Sequence, residues 1–148
     1  MKIYGRLILV CTFMFCSQAG AQKPEFIQAQ NANAQTPFSE AVRVGNLLYL
    51  SGMIGVLPGT MNLVEGGIVA ETRQTLQNIK AAVERAGGSM DNVVKCLVML
   101  ADMGEWAKMN EAYVPFFPNQ RPARSSFGAS GLALNARVEI ECVAVIEK

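Results

Sequence analysis

The 148-residue chain contains no histidine. Imidazole is the base of Ser-His-Asp and Cys-His nucleophilic schemes and the commonest metal ligand, so its absence removes those mechanisms. An excess of one charge sign is lacking too. Thirteen basic residues face 12 acidic ones, for a formal +1, which gives no electrostatic case for nucleic acid as a partner. No internal repeat or low-complexity tract appears. Long apolar runs are scarce: residues 7–16 form an early run of ten, short for a membrane span.

That early run has the flanks of a secretory signal peptide. Lys2 and Arg6 precede it, and Ala19-Gly20-Ala21 supplies a small-residue cleavage site. Cleavage after Ala21, export to a periplasm or beyond, and no stable membrane insertion thereafter are expected; an uncleaved N-terminal anchor is the alternative. Val10 before Cys11 and Phe15 before Cys16 argue against a lipoprotein, which wants a small residue there. Removing residues 1–21 takes away Lys2 and Arg6, leaving 11 basic against 12 acidic residues in 127. A domain of that size buries about two-thirds of its unfolded surface and folds without staples.

Two cysteines remain, Cys96 and Cys142, both in apolar strand-like runs. Two buried free thiols are the expected state, although an oxidising compartment permits a disulfide. Far apart in sequence and with no histidine, they suggest no metal site, and no motif calls for a cofactor.

Residues 22–35, rich in Gln, Asn and Ala and without periodicity, read as a mobile lead-in. A single domain is expected over 36–148. Residues 41–44 and 47–51 alternate as strands around Gly45-Asn46, a hairpin signal. A helix is predicted over 69–86, with Thr72, Leu76, Ile79, Val83 and Ala86 on one stripe and Gly87-Gly88 ending it. The apolar run within 91–101 reads as a strand covered on both faces. Asp102 and Glu105 read as a capping box for a second helix with Trp106, Met109, Tyr113 and Phe116 on a core-facing stripe. A last strand follows over 137–146, with Val138, Ile140, Cys142, Ala144 and Ile146 towards the helices. The result is an α+β sandwich, two helices on one face of a mixed sheet. Glu139, Val143 and Val145 share the uncovered face, whose apolar area predicts self-association.

The candidate site is Arg121-Pro122-Ala123-Arg124-Ser125-Ser126 together with Val138-Glu139-Ile140-Glu141. Pro122 stiffens the approach and pushes the residue before it towards extended geometry. Arg124 then enters a β-leaning run, where its planar fork of donors suits a carboxylate. Glu139 and Glu141, two apart, point to one face and could move protons. The blander reading makes Arg124 a surface charge and pairs Glu139 with Arg137; Glu141 is taken as structural.

Several segments, in order and spacing, resemble the Rid/YjgF (reactive intermediate deaminase) family. They are Thr36-Pro37-Phe38-Ser39-Glu40-Ala41, Gly45-Asn46-Leu47, Ser51-Gly52, the segment from Thr72 to Ile79, Val93-Val94-Lys95, Asn110-Glu111-Ala112-Tyr113, Pro122-Ala123-Arg124-Ser125 and Val138-Glu139-Ile140-Glu141. The resemblance implies a chorismate-mutase-like fold assembled as a homotrimer with ligand clefts between subunits. It implies cofactor-free hydrolysis of 2-imino acids, such as 2-iminopropanoate and 2-iminobutanoate, to 2-keto acids and ammonia. In that scheme Arg124 grips the substrate carboxylate and Glu139 activates water, Gly52 offers backbone contacts, and Phe38, Asn110 and Ser126 line the cleft. The family commonly has tyrosine at Phe38 and glutamine at Met53. A non-catalytic carboxylate-binding protein and a chaperone-like interaction protein are the alternatives on the same fold.

Overall fold

Residues 21–30 and 37–147 are described by a computed structural model. The signal-peptide expectation falls almost wholly outside them. Strands β1 (Glu25–Ile27), β2 (Ala41–Val44), β3 (Leu47–Leu50), β4 (Met53–Ile54), β5 (Val93–Leu100), β6 (Ala123–Gly128) and β7 (Val138–Val145) join in one sheet. Helix α1 (Gly67–Arg85) precedes β5, and α2 (Trp106–Tyr113) links β5 to β6. The sheet order is β1-β2-β3-β7-β5-β6, with β4 also on β7. Every pair is antiparallel except β5 with β6. A parallel pair needs a crossover, and α2 supplies it.

One face of the sheet is dry. Leu48 and Leu50 of β3, Cys96, Val98 and Leu100 of β5, and Val138, Ile140, Cys142 and Ala144 of β7 are buried against Leu76, Ile79 and Val83 of α1 and Met109 and Tyr113 of α2. Fully burying an aliphatic side chain of this size contributes about 1.5–3 kcal/mol, so this layer dominates the packing energy. α1 ends as its sequence predicts. Gly87 takes φ +87°, and the N–H groups of Gly87 and Gly88 donate to Glu84 and Val83 carbonyls at 3.0 Å, closing the last turn.

Four expectations need correction. The lead-in is not featureless: β1 pairs with β2, and Ile27 packs against the core. Glu-Phe-Ile suffices for a short edge strand once β2 offers a free edge. The capping box is half made. Asp102 Oδ1 accepts from the Gly104 N–H at 2.8 Å, heading a 3₁₀ turn before α2, while Glu105 turns to Arg137. Trp106 is not core, being 44% exposed. Finally, Cys96 and Cys142 are not free thiols. They face each other across β5 and β7 and form a disulfide. The sequence places each in a buried strand, but only the register sets them opposite.

The bridge closes a loop of 46 residues in sequence separation, for which chain entropy allows roughly 4 kcal/mol. Replacing both cysteines with alanine should lower unfolding stability by about 2–4 kcal/mol. Denaturation with and without reductant checks this: reductant should shift the wild type towards the variant and leave the variant unmoved.

Candidate functional site

Arg124 leaves β6 on its helix-covered side. Its partner in β5 is Cys96, whose side chain lies under the helices, and paired residues in adjacent strands point the same way. The guanidinium carbon sits 4.6 Å from the Tyr113 ring centroid and 5.8 Å from that of Trp106, and Nη1 lies 4.0 Å from the Met109 sulfur. Cation–π contacts of this kind contribute about 0.5–2 kcal/mol. They fix a guanidinium without neutralising it. Among the described residues Arg124 has no ion pair. Arg124, Asn110, Tyr113, Val114, Arg121 and Pro122 line a pocket of about 420 Å³. Ser126 lies two residues along the same face, with Val98 as partner, and is not part of that lining.

Tyr113 is nearly fully buried, and its hydroxyl has no hydrogen-bond partner among the described residues. Burial pushes the phenol up to about 12, against the opposing pull of the Arg124 charge. The phenol is therefore held in its neutral form well above neutral pH. The sequence reading absorbed Tyr113 and Trp106 into a core stripe; the signal that separates them is their position on the turns of α2 facing the edge strand β6.

Glu139 belongs to the other face. It pairs with Met99 of β5 and Ile54 of β4. Its Oε1 lies so close to Gly52 that a Cβ there would displace the end of the Glu139 side chain. Asn78 of α1 holds the neighbouring backbone, donating to the carbonyls of Ile54 at 3.1 Å and Val56 at 2.9 Å. The buried Glu71 carboxylate accepts from the Arg137 N–H at 2.8 Å, fixing the entry to β7. Arg137 does not pair with Glu139. Its guanidinium grips Glu105 through two bonds of 2.8 and 2.6 Å, leaving Glu139 with no ion pair among the described residues. Glu141 lies exposed on the same face.

Phe38 is 60% exposed, just ahead of β2, which three strands separate from β6 in the sheet order. The loop there is tied down by the Ser51 hydroxyl, which donates to the Ser39 carbonyl at 2.7 Å. The six sequence-derived residues thus form two groups. Arg124, Asn110 and Ser126 sit on the helix side of the edge, whereas Glu139, Gly52 and Phe38 lie on or beside the open face and its far strands. No single chain brings Arg124 and Glu139 together, because β6 and β7 direct them to opposite sides of the sheet. A larger open hollow of about 780 Å³, lined by residues including Leu57, Met61 and Leu134, contains none of the six.

Tyr113 offers a direct check on this geometry. A phenol held up at about 12 against an ordinary 10.0 favours the folded state fully below pH 10, and that contribution is lost as pH rises towards 12. Unfolding midpoints taken across pH 8–11.5 should fall more steeply for wild type than for Tyr113→Phe. Parallel curves would mean the hydroxyl is solvated.

Residues 28–146 match the family described as Endoribonuclease L-PSP. A 2-iminobutanoate/2-iminopropanoate deaminase of Mus musculus is 41% identical over 109 residues, covering 74% of this chain and 81% of the mouse protein. A RutC family protein of Pyrococcus horikoshii is 43% identical over 111 residues, covering 75% of this chain and 88% of its own length. Among solved structures, RidA from an Antarctic Psychrobacter superposes with a TM-score of 0.76 at 41% identity, covering 82% of this chain and 99% of that one.

Proposed function

The chain belongs to the Endoribonuclease L-PSP family, and on that premise we propose that it hydrolyses 2-imino acids to 2-keto acids and ammonia. The observation that carries the reading is the Arg124 guanidinium, fixed by two aromatic rings beside a pocket and left without a carboxylate. The names of relatives at about 40% identity support it: the mouse protein is a 2-iminobutanoate/2-iminopropanoate deaminase. The family's description invokes RNA cleavage, for which this chain has neither a histidine base nor a basic surface.

The chemistry needs little machinery. Arg124 binds the substrate carboxylate and so fixes the adjacent C=N carbon, which supplies the proximity term. Glu139 takes a proton from the attacking water and returns it to the departing nitrogen. The water oxygen ends as the keto oxygen and the nitrogen leaves as ammonia. Gly52 leaves room for the Glu139 carboxylate and presents backbone to the ligand, while Asn110, Ser126 and Phe38 complete the walls.

Since one chain separates Arg124 from Glu139, the cleft is built between subunits: the β6 edge of one protomer meets the open face of the next, in a homotrimer with three sites. The apolar side chains of that face, with Tyr49 46% and Val145 37% exposed in the isolated chain, suit such burial. Export after cleavage near Ala21 fits the Cys96–Cys142 bridge, because disulfides persist in oxidising compartments.

The test generates 2-iminopropanoate with an amino-acid oxidase and traps surviving imine with semicarbazide. Wild-type mature protein should suppress trapping. Arg124→Ala should lower kcat/KM by roughly 10²-fold, and Glu139→Gln by about 10²–10⁴-fold, in kcat. Gly52→Ala, which dislodges the Glu139 carboxylate, should cost on the order of 10²-fold with little change in the unfolding midpoint. Ligand binding without turnover across a panel of imino acids would select the binding-protein alternative. Full activity in a species of monomer mass by sedimentation would overturn the inter-subunit site.

A further inference from the structure

The pocket beside Arg124 holds more positive charge than a simple 2-imino acid uses. Arg121 and Arg124 both line it, no carboxylate does, and neither arginine has an ion pair among the described residues. The remaining polar groups lean the same way. Asn110 adds an amide with two N–H donors. The wall is thus rich in donors and cations. Val114 and Pro122 supply the apolar part.

The chain between the two arginines is short and stiff. Pro122 presets one φ angle, and Ala123 already belongs to β6. The two Cα atoms are therefore at most about 10 Å apart, and both residues line the one pocket. A 2-imino acid of alanine type presents one carboxylate, which the two parallel N–H donors of Arg124 would satisfy. Arg121 would then be left over, a second arginine lining the same pocket.

We propose that this site takes 2-imino acids bearing a second carboxylate on the side chain, the four- and five-carbon 2-imino diacids, with Arg121 as the specificity-determining residue. Arg124, held over the Tyr113 ring, binds the carboxylate next to the C=N carbon. The side-chain methylenes run along Val114 and Pro122, and the distal carboxylate meets Arg121. The reaction is the same hydrolysis, with water adding its oxygen to the C=N carbon and ammonia leaving, so the product is a 2-keto diacid. Turnover in this inference rests on the hydrolase reading; recognition of the diacid does not.

Two measurements on the mature chain test it. The first compares kcat/KM for 2-iminoglutarate and 2-iminopropanoate, each made in situ by an amino-acid oxidase, in wild type and Arg121→Gln. The diacid should be preferred, and the variant should reduce the diacid-to-monoacid ratio on the order of fivefold, mainly through KM, as expected for losing one partly exposed ion pair. The second measures binding of the products, 2-oxoglutarate against pyruvate, by calorimetry at two salt concentrations. The diacid should bind more tightly and with the steeper salt dependence, and Arg121→Gln should remove both differences. If the protein hydrolyses 2-iminopropanoate but shows no diacid preference in either measurement, Arg121 is a solvated surface charge and the inference fails while the hydrolase reading stands. If nothing is hydrolysed yet 2-oxoglutarate binds through Arg121, the hydrolase reading fails and the diacid site stands.

Discussion

The register between β5 and β7 is the constraint on which the rest of the molecule depends. It sets Cys96 opposite Cys142, Val98 opposite Ile140 and Met99 opposite Glu139. Side chains alternate along a strand, so a slip of one residue would drive Glu139 into the core and put Ile140 on the open face. The register is held from both sides: by apolar packing of Val98, Leu100, Val138 and Ile140 beneath α1 and α2, and by the Glu71 carboxylate on the Arg137 N–H where β7 begins. The Cys96–Cys142 bridge makes the alignment covalent.

From that alignment the division of the site follows. Arg124, placed by the parallel pairing of β6 with β5, is committed to the helix side, where α2 offers Tyr113, Trp106 and Met109. Aromatic faces orient a guanidinium while leaving its charge available, which a carboxylate partner would not do. On the opposite face Glu139 likewise has no ion pair among the described residues, Arg137 being engaged by Glu105. Among the described residues, a cation and an anion without ion pairs are thus held on opposite faces of one sheet.

Much of the fold was legible before any coordinates. The 3.6-residue stripe of α1, its Gly87-Gly88 stop, the Gly45-Asn46 hairpin and the inward set of β7 all stand where periodicity puts them, because each is fixed by interactions among near neighbours in sequence. The errors share one cause. Whether Cys96 meets Cys142, whether Glu105 caps its own turn or reaches Arg137, and whether Trp106 is covered all depend on residues more than thirty positions away or on another element's edge. The lead-in failed for the same reason, since three residues become a strand only when β2 presents an unpaired edge.

The sequence by itself determined the elements, the inward faces and the residue types on which the chemistry rests, an arginine set for a carboxylate and a glutamate on an apolar strand. Those are matters of local backbone preference and side-chain periodicity, which a linear pattern records. The tertiary structure decided which groups are neutralised and which are left exposed to a ligand. Arg137 went to Glu105, Arg124 to two aromatic rings, and the Tyr113 hydroxyl to no partner among the described residues. Electrostatic pairing acts through space at a few ångströms, and no spacing along the chain encodes it.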